Sequence, residues 1–221
     1  MSNVPQGAIL QRDKTTYAIK PRTPLGVLTP EILEAVARVA RRFNVQTVKM
    51  TSGQRLILIG LRAEDFPAVQ EELGELGTIC VHYVQACPGV ETCMYGVQDS
   101  MGLGARLEAL VGPMALPAKV KIGVSGCPFS CGESHVRDIG LVGRKKGWTV
   151  LFGGNAAWKP RFGDPVATDL SDEQAVACVQ ACLRVYAEQA RKKERTARFI
   201  ERLGLDHLRH ELDFSVSEGY Q

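Results

Sequence analysis

The sequence lacks the features that mark membrane, secreted and nucleic-acid-binding proteins. No apolar run approaches the roughly 18 residues that are needed to cross a bilayer. The segment Met1–Gly7 has neither the basic region nor the apolar core of a signal peptide. The net charge of the 221 residues is only +3, which by itself is too weak to indicate a nucleic-acid partner. These absences favour a cytoplasmic protein without membrane or nucleic-acid partners.

Cysteine, in contrast, is abundant for a cytoplasmic chain. There are seven cysteines, and structural disulfides are rare in the cytosol, so the thiols need another explanation. Four of them fall in two short loops, Cys87-Pro-Gly-Val-Glu-Thr-Cys93 and Gly126-Cys127-Pro-Phe-Ser-Cys131. Iron–sulfur clusters take thiolate ligands, and glycine-bearing loops can wrap a cluster and donate backbone N–H groups to its sulfurs. The pattern predicts an iron–sulfur cluster held by Cys87, Cys93, Cys127 and Cys131.

Two other interpretations of these cysteines stay open at this point. Structural zinc sites usually use pairs two to four residues apart, so the wider gap between Cys87 and Cys93 disfavours zinc without excluding it. The four thiols could also be buried and unligated, although core cysteines seldom pair up beside prolines and glycines. Cys178 and Cys182 share one helix face and, like Cys80 in a strand pattern, are interpreted as small core residues.

The predicted elements indicate an α+β fold with two domains. The first half reads as strands and helices in the order βαββαβ, with strands Thr16–Ile19, Val45–Met50, Arg55–Leu61 and Thr78–Val84 and helices Thr29–Phe43 and Glu64–Leu73. This order is the ferredoxin-like arrangement, which packs two helices on one face of an antiparallel sheet. We therefore predict a ferredoxin-like half-domain over residues 1–85 and a cluster-binding α/β domain over residues 86–221.

The second half carries different predicted elements. They are a helix Gln98–Leu110, a strand Val120–Val124, a hairpin of Ile139–Gly143 with Trp148–Phe152, and a long helix Ser171–Leu203 that is broken near Lys192. Alternation along the strand places Val120, Ile122 and Val124 on one side. Lys119 and Lys121 then share the other side. The basic run Arg191–Arg195 is predicted to lie on the helical stretch as a solvated face.

The two lysines of this strand suggest an anion site. Neighbouring ammonium groups repel each other unless an anion lies between them. Arg55 begins another strand after a tight turn and could add a fork of donors for an oxyanion. Lysines on a half-exposed sheet also often face water, and the spacing alone leaves both interpretations open.

The order of motifs resembles the sirohaem-dependent nitrite/sulfite reductase family. The cysteine loops lie among five further segments that match this family, Lys20–Val27, Met50–Arg55, Tyr95–Ser100, Leu116–Lys121 and Phe152–Asn155. Each segment alone is a weak signal, but their order around the cysteine pairs is highly specific. The likeness covers nearly the whole chain and is greatest to the small, single-chain assimilatory-type sulfite reductases.

This resemblance implies two cofactors and a ligand set. Members carry sirohaem and a 4Fe-4S cluster, and their fourth cysteine binds both, so Cys131 is expected to be the bridging thiolate. Cys87, Cys93 and Cys127 are expected to hold the cluster alone. The resemblance further implies sirohaem contacts and substrate cations. The expected sirohaem contacts are Cys131, Lys20, Arg22, Gly153, Gly154 and Asn155, and the expected catalytic cations are Arg55, Lys119 and Lys121.

The reaction implied is the six-electron reduction of sulfite to sulfide. The alternatives are nitrite reduction to ammonia at the same centre, or a 4Fe-4S electron carrier without substrate chemistry. Larger relatives have an arginine where this chain has Gly53, and nitrite-reducing relatives often have one where it has Met94. The chain shows no flavin or nicotinamide motif, so electrons are expected from a separate protein such as a ferredoxin. The protein is expected to act as a monomer or a homodimer.

Overall fold

The structure, a computed structural model, describes residues 7–77 and 82–212. The chain divides into two units, Met1–Cys80 and Val81–Gln221. Within the described residues no helix is long and apolar enough to cross a membrane.

The first unit is an antiparallel sheet with two helices. Its elements are β1 (Ile9–Leu10), β2 (Tyr17–Ile19), α1 (Pro30–Arg42), β3 (Thr47–Met50), β4 (Leu56–Leu61) and α2 (Phe66–Leu73). The strand order is β1-β2-β4-β3. Thr29 caps α1, because its hydroxyl accepts a hydrogen bond from the Ile32 N–H, and Pro30 suits the first helical position. Val39 from α1, Leu58 from β4 and Val69 from α2 are fully buried together in the core.

The elements expected in this unit are present, with one exception at its end. The predicted strand Thr78–Val84 lies partly outside the described residues, since Thr78–Val81 are not described. The described part belongs to a strand Tyr83–Ala86 in the sheet of the second unit. All four residues of that strand are buried, which is typical of a strand covered on both faces of a sheet. The short β1, which sequence alone did not indicate, lies at the edge of the first sheet.

The second unit is built on a mixed five-stranded sheet. Its elements are β5 (Tyr83–Ala86), α3 (Ser100–Val111), β6 (Lys121–Ser125), β7 (Ile139–Arg144), β8 (Gly147–Phe152), β9 (Asp164–Leu170), α4 (Asp172–Gln189), α5 (Thr196–Leu203) and α6 (Leu205–His210). The strand order follows the sequence, β5-β6-β7-β8-β9. β5, β6 and β7 run parallel, and β7, β8 and β9 run antiparallel.

Helices α3 and α4 contact this sheet and each other. The core under α4 contains an aromatic cluster in which the Tyr186 ring lies 6.3 Å from that of Phe152 and 5.5 Å from that of Phe199. Cys178 and Cys182 are fully buried on α4, as expected of core residues. The capping box of Ser171 and Gln174 begins this helix.

The long predicted helix is divided between α4 and α5. α4 ends at Gln189 and α5 begins at Thr196, so the break lies close to Lys192 as predicted. The basic run Arg191–Arg195 therefore lies in the connection and not on a helix, which corrects that expectation. The Arg191 N–H donates to the Glu194 carboxylate, and the Glu194 N–H donates to the Arg191 carbonyl, so this connection forms its own turn. Strand β9 was not predicted.

Candidate functional site

Both cysteine loops leave the five-stranded sheet at one edge. Cys87 directly follows β5, and Cys127 comes two residues after the end of β6. Because β5 and β6 are adjacent and parallel, their carboxyl ends meet at the same edge. The Cys87 N–H donates to the Val124 carbonyl at 3.0 Å, which ties the first loop to the end of β6. We call this edge, with both loops, the cysteine edge.

Backbone and hydroxyl groups surround the Cys87 sulfur. The Gly126 N–H donates to Cys87 Sγ at 3.1 Å, and Ser100 Oγ lies 3.3 Å from the same sulfur. Ser100 Oγ also donates to the Cys87 carbonyl at 2.7 Å. Hydrogen bonds to sulfur tune the charge and potential of protein-bound iron–sulfur clusters. A sulfur that accepts a backbone N–H is therefore suited to bind iron as a thiolate.

The four thiols differ in exposure. Cys87 and Cys127 are buried, Cys93 is partly buried, and Cys131 is exposed. The first loop folds on itself because the Cys93 N–H donates to the Gly89 carbonyl at 2.9 Å. A cluster held here would therefore be sheltered on one side, with the Cys131 sulfur on the open side.

Close glycine contacts hold the two loops together. A Cβ on Gly126 would lie 2.6 Å from the Gln98 carbonyl oxygen and 3.0 Å from Gly89 Cα. A Cβ on Gly96 would lie 2.6 Å from the Gly89 backbone, and one on Gly143 would lie 2.7 Å from the Gly126 backbone. Real Cβ atoms do not approach a backbone so closely. The sequence indicated Gly89 and Gly126 by their place beside the cysteines, and Gly96 by the segment Tyr95–Ser100, but nothing in it singled out Gly143.

The donor set at this edge fits a 4Fe-4S cluster. Among residues 7–77 and 82–212, no three His, Cys, Asp or Glu side chains are grouped around a position for a single metal ion. Cysteine is the ligand that iron–sulfur clusters take, and the two glycine-packed loops carry four cysteines, with a backbone N–H donated to the Cys87 sulfur.

A second polar cluster lies at the opposite end of β5 and β6, which we call the cation edge. Lys121 begins β6 and is the register partner of Tyr83 in β5. Lys119 Nζ lies 5.2 Å from the centre of the Tyr83 ring, within the range of a cation–π contact. Arg137 reaches the Tyr83 hydroxyl at 3.4 Å. Strand β6 begins at Lys121, so Lys119 lies just before it and the predicted alternation of the two lysines stays a prediction.

Arg137 is the buried cation of this edge. Only 4% of its surface is exposed, and its guanidinium donates to Gln85 Oε1 at 2.8 Å and pairs with the Glu133 carboxylate. Gly123 leaves room for it, because a Cβ there would lie 2.9 Å from Arg137 Cγ. From the sequence, Arg137 was expected only as one of several cations available to hold the sirohaem carboxylates, and not as part of the anion site. One signal in the sequence was available. Tyr83 and Gln85 are two residues apart in β5, so their polar groups lie on the same face of the strand and could meet a cation there.

Asp138 neutralises part of this charge. Its buried carboxylate accepts hydrogen bonds from the Lys121 N–H at 2.9 Å, from Arg195 Nε at 3.1 Å and from the Thr196 hydroxyl at 2.8 Å. Burial lowers the pKa of Lys121, and the positive charges of Arg195 and Arg137 lower it further. Burial also raises the pKa of Tyr83. The cation edge is thus a partly dry site in which an ammonium group is held against other cations.

The cation edge and the cysteine edge are at opposite ends of β6. The Cα atoms of Lys121 and Ser125 are four residue steps apart along the strand, a distance of about 13 Å at the usual strand rise. The structure therefore brings the predicted lysines to Tyr83 and not to the cysteine side chains.

The predicted cations of the first unit lie in ordinary structural contacts. Arg55 precedes β4 and is buried; across the predicted tight turn its carbonyl accepts from the Thr51 N–H, and its N–H donates to Thr51 Oγ1. Arg22 is exposed and pairs with Glu75 at 3.3 Å. Lys20 is half-buried, and its carbonyl accepts a hydrogen bond from the Gly77 N–H. Their roles toward a cofactor or substrate stay predictions.

The glycine loop after β8 packs against the start of β7. The Gly153 N–H donates to the Asp138 carbonyl at 2.9 Å, and a Cβ on Gly154 would lie 2.2 Å from the Arg137 carbonyl oxygen. Asn155 exchanges backbone hydrogen bonds with Arg161, and its side chain closes the turn by donating to the Lys159 carbonyl. The close contact explains Gly154, and the positive φ of 83° explains Gly153; a cofactor role for the loop stays a prediction.

Family models match almost the whole chain. Residues 9–76 match the model described as the nitrite/sulfite reductase ferredoxin-like half domain. Residues 77–218 match the nitrite and sulphite reductase 4Fe-4S domain. These matches confirm the resemblance, the α+β fold class with a ferredoxin-like first half, and the 4Fe-4S cluster with sirohaem as the cofactors. They favour iron–sulfur over zinc at the cysteine edge.

Two relatives with similar sequences are named as reductases. The chain is 50% identical over 213 residues to a protein of Nitratidesulfovibrio vulgaris named sulfite reductase, assimilatory-type, covering 95% of this chain and 98% of that one. It is 39% identical to the nitrite reductase (NADH) large subunit of Escherichia coli, covering 91% of this chain but 25% of that one. The expectation that the chain is an oxidoreductase is thereby confirmed.

Solved structures share the fold. A dissimilatory sulfite reductase I superposes with a TM-score of 0.78 at 14% identity, covering 93% of this chain and 72% of that chain. The NirA protein of Mycobacterium tuberculosis superposes with a TM-score of 0.74 at 20% identity, covering 92% of this chain and 41% of that chain. At these identities the likeness supports the fold alone.

Proposed function

Because the chain belongs to the nitrite and sulfite reductase family, we propose that it reduces sulfite to sulfide in the cytoplasm. The balanced reaction takes one sulfite dianion, six electrons and seven protons to one hydrosulfide ion and three waters. The observation that carries this proposal is the cysteine edge, where two glycine-packed loops follow the adjacent ends of β5 and β6 and carry the four cysteines. The relative of similar length that is named an assimilatory-type sulfite reductase supports sulfite as the substrate.

Within this proposal the cysteines have two roles. Cys87, Cys93 and Cys127 would hold only the cluster, and Cys131 would hold both the cluster and the sirohaem. The exposure of Cys131, beside the buried Cys87 and Cys127, supports this division, because a bridging sulfur must be open to a second group. When bound, the joined cofactors supply single electrons and an iron that coordinates the anion.

The cations neutralise the substrate in this proposal. Arg55, Lys119 and Lys121 stabilise the negative charge of the anion, and such stabilisation is stronger in a dry site than in water. The desolvation of Lys121 supports this role, and protons held on such groups can assist the departure of oxygen as water. Lys20, Arg22, Gly153, Gly154 and Asn155 contact the sirohaem.

A Cys131→Ser variant tests the bridging role. We expect loss of the electronic coupling between cluster and sirohaem, seen in the visible absorption spectrum of anaerobically purified protein, and a fall in sulfite turnover of at least about 100-fold. The matched control is Cys178→Ala, which removes a thiol buried in α4 away from the loops. The control is expected to keep its spectrum, its iron and acid-labile sulfide content, and its turnover. A Cys131→Ser protein that stays coupled and fully active contradicts the proposal.

Nitrite reduction to ammonia is the second candidate. It is favoured by the nitrite reductase of Escherichia coli, which is 39% identical to this chain. The match covers 25% of that relative, so the relative is about four times as long as the matched region. Steady-state kcat/KM values for sulfite and nitrite, measured with one donor, separate the two substrates. A higher value for nitrite would replace sulfite in the proposal.

A further inference from the structure

Ser130 of the second cysteine loop has a buried hydroxyl without a hydrogen-bond partner. The residue directly precedes Cys131 and lies three positions after Cys127. Its Oγ atom is buried and forms no hydrogen bond with any residue in the described ranges 7–77 and 82–212. A hydroxyl carries one proton and two lone pairs, and burying it unpaired is unfavourable. Its proton is therefore available to an acceptor outside the polypeptide.

The backbone of the loop fixes the position of this residue. The Ser130 N–H donates to the Cys127 carbonyl at 3.3 Å, and the Ser130 carbonyl accepts from the Glu133 N–H at 2.8 Å. Both backbone groups of Ser130 are thus used within the loop and the turn that follows it. The hydroxyl is held in place by these two bonds and not by a bond of its own.

The backbone conformation of Ser130 favours a role for its side chain. Its φ angle is 56°, in the left-handed region. Glycine adopts this region without steric cost, whereas residues with a Cβ do so uncommonly. Residues in such sparsely populated conformations cluster at functional sites. A serine here has a steric cost that glycine would avoid, and what it adds over glycine is the hydroxyl.

The other serine hydroxyls beside the cysteine loops already have partners in the protein. Ser100 Oγ donates to the Cys87 carbonyl at 2.7 Å. Ser125 Oγ accepts from the Gly132 N–H at 2.9 Å and lies 2.8 Å from Ser134 Oγ. These groups therefore support the loops from within the fold, and they differ in this respect from the hydroxyl that precedes Cys131.

We propose that the Ser130 hydroxyl donates a hydrogen bond to a sulfur of the 4Fe-4S cluster and so raises the reduction potential of the cluster. The inference rests on the proposed function, because it places the cluster on Cys127 and Cys131. Reduction adds one electron, and so one negative charge, to the cluster. A donor at sulfur stabilises the more negative state, and hydrogen bonds to the sulfurs are among the factors that set cluster potentials.

An ordered water is the other acceptor that a buried hydroxyl could take. A buried water typically makes about three hydrogen bonds to polar groups that would otherwise be unpaired. Among residues 82–136, which include both cysteine loops, Ser130 Oγ is the only buried side-chain nitrogen or oxygen without a partner. A water at this position would lack further side-chain partners of this kind, whereas a cluster brings its own sulfur acceptors.

The test compares Ser130→Ala with Ser130→Gly in the anaerobically purified holoenzyme. Both variants remove the hydroxyl, but only glycine also relieves the left-handed backbone. By EPR-monitored redox titration we expect the equilibrium constant for reduction of the cluster to fall about tenfold in both, a potential lower by about 59 mV for one electron. Iron and acid-labile sulfide contents should not change. The urea midpoint should be higher for Ser130→Gly than for Ser130→Ala.

Ser171→Ala is the control for a general loss of stability. Ser171 caps α4 with its side chain, so its replacement is expected to lower the urea midpoint. It lies outside both cysteine loops, and the cluster potential of this variant should equal that of the unsubstituted protein. Equal potentials in the two Ser130 variants, despite their different stabilities, assign the shift to the hydroxyl.

Several outcomes overturn the inference. An unchanged potential in both Ser130 variants shows that the hydroxyl does not donate to the cluster and leaves a water as its partner. A shift in Ser130→Ala that is absent from Ser130→Gly assigns the effect to the backbone. An equal shift in Ser171→Ala assigns it to stability, and loss of the cluster from both Ser130 variants makes the residue structural. Absence of sulfite reduction with dithionite-reduced methyl viologen refutes the proposed function, and the cluster potentials are measured independently of that result.

Discussion

The two ends of β6 are organised by different means. At the cysteine edge, glycines allow backbone to pack on backbone, and a backbone N–H contacts the Cys87 sulfur. At the cation edge, side chains contact one another, with Tyr83, Arg137 and Asp138 at the centre. The first end therefore depends on chain geometry, and the second depends on charge balance.

This difference teaches which changes each end can tolerate. A backbone contact below 3 Å leaves no room for any side chain, so the cysteine edge should fail abruptly when a methyl group is added. A charge cluster redistributes its hydrogen bonds when one member changes, so the cation edge should lose stability or shift its titration gradually.

The largest effect is expected for Gly126→Ala. The added Cβ would lie 2.6 Å from the Gln98 carbonyl and 3.0 Å from Gly89 Cα, so the two loops must separate. We expect loss of most of the iron and acid-labile sulfide, and of sulfite turnover with it. Iron and sulfide counts on anaerobically purified protein measure the effect.

Gly112→Ala is the control for that change. Gly112 follows α3 with helical φ and ψ, and the nearest atom to a new Cβ is the Glu108 carbonyl oxygen of the same helix at 3.1 Å. Alanine is well tolerated at such a position, so we expect full cluster content. Equal cluster loss in both variants, or full cluster content in Gly126→Ala, would show that the glycine packing does not hold the loops.

A smaller effect is expected for Asp138→Asn at the cation edge. The substitution keeps the shape but removes the buried charge that faces Arg195 and the Lys121 N–H. We expect the free energy of unfolding to fall by about 2 kcal/mol, less than for a fully buried pair because Arg195 is partly exposed. Urea denaturation measures it, and the iron content of the folded protein should not change.

The control makes the same chemical change at an exposed ion pair. Asp206 pairs with Arg209 at 3.6 Å, and its side chain is 98% exposed. Asp206→Asn should change stability by less than about 0.5 kcal/mol. If the two variants lose equal stability, the Asp138 network does not stabilise the cation edge.

The cysteine edge could be predicted from sequence because its requirements are local. Cys87 and Cys127 each follow a buried strand, and glycines adjoin both loops. Gly143 could not be identified in this way, because its contact with Gly126 joins segments far apart in sequence. Packing between distant segments has no local signature.

The cation edge could be predicted only in part. Strand alternation predicted Lys119 and Lys121 on one side, and in the structure Lys119 contacts the Tyr83 ring while Lys121 is the register partner of Tyr83. Strand alternation could not show which residues join the two lysines. They are Arg137 and Asp138 from the turn before β7, and Arg195 from the connection to α5. Residues from four segments that are far apart in sequence meet there, and only the folded chain brings them together.

The strand Tyr83–Ala86 shows a similar limit in the fold. By its pattern alone this segment could be the last strand of a βαββαβ unit. A strand pattern predicts a strand but not the strand with which it pairs. Pairing with β6 is what the folded chain adopts, since the Cys87 N–H and the strand before it bond to β6. Choice of partner is a tertiary property, and the local sequence carried no information on it.

The smallest expected effect is a titration at the cation edge. The pKa of Lys121 is lowered by burial and by the charges of Arg195 and Arg137, which outweigh Asp138 and Glu133. If charged Lys121 neutralises the substrate, kcat/KM for sulfite should fall as pH rises through a value below the ordinary lysine pKa of 10.5. Viologen-supported rates measured up to that pH test this.

Substitution at Lys121 separates charge from structure in the same titration. Arginine keeps its charge through this range, so Lys121→Arg should keep substantial turnover and lose the alkaline fall. Lys121→Met should lower kcat/KM at every pH, with the sirohaem absorption intact, because it removes the cation and leaves the Tyr83 contacts of Lys119 and Arg137 in place. An alkaline fall that persists unchanged in Lys121→Arg assigns the titration to another group. Loss of sirohaem from Lys121→Met would show that the cation edge holds the cofactor and does not neutralise the substrate.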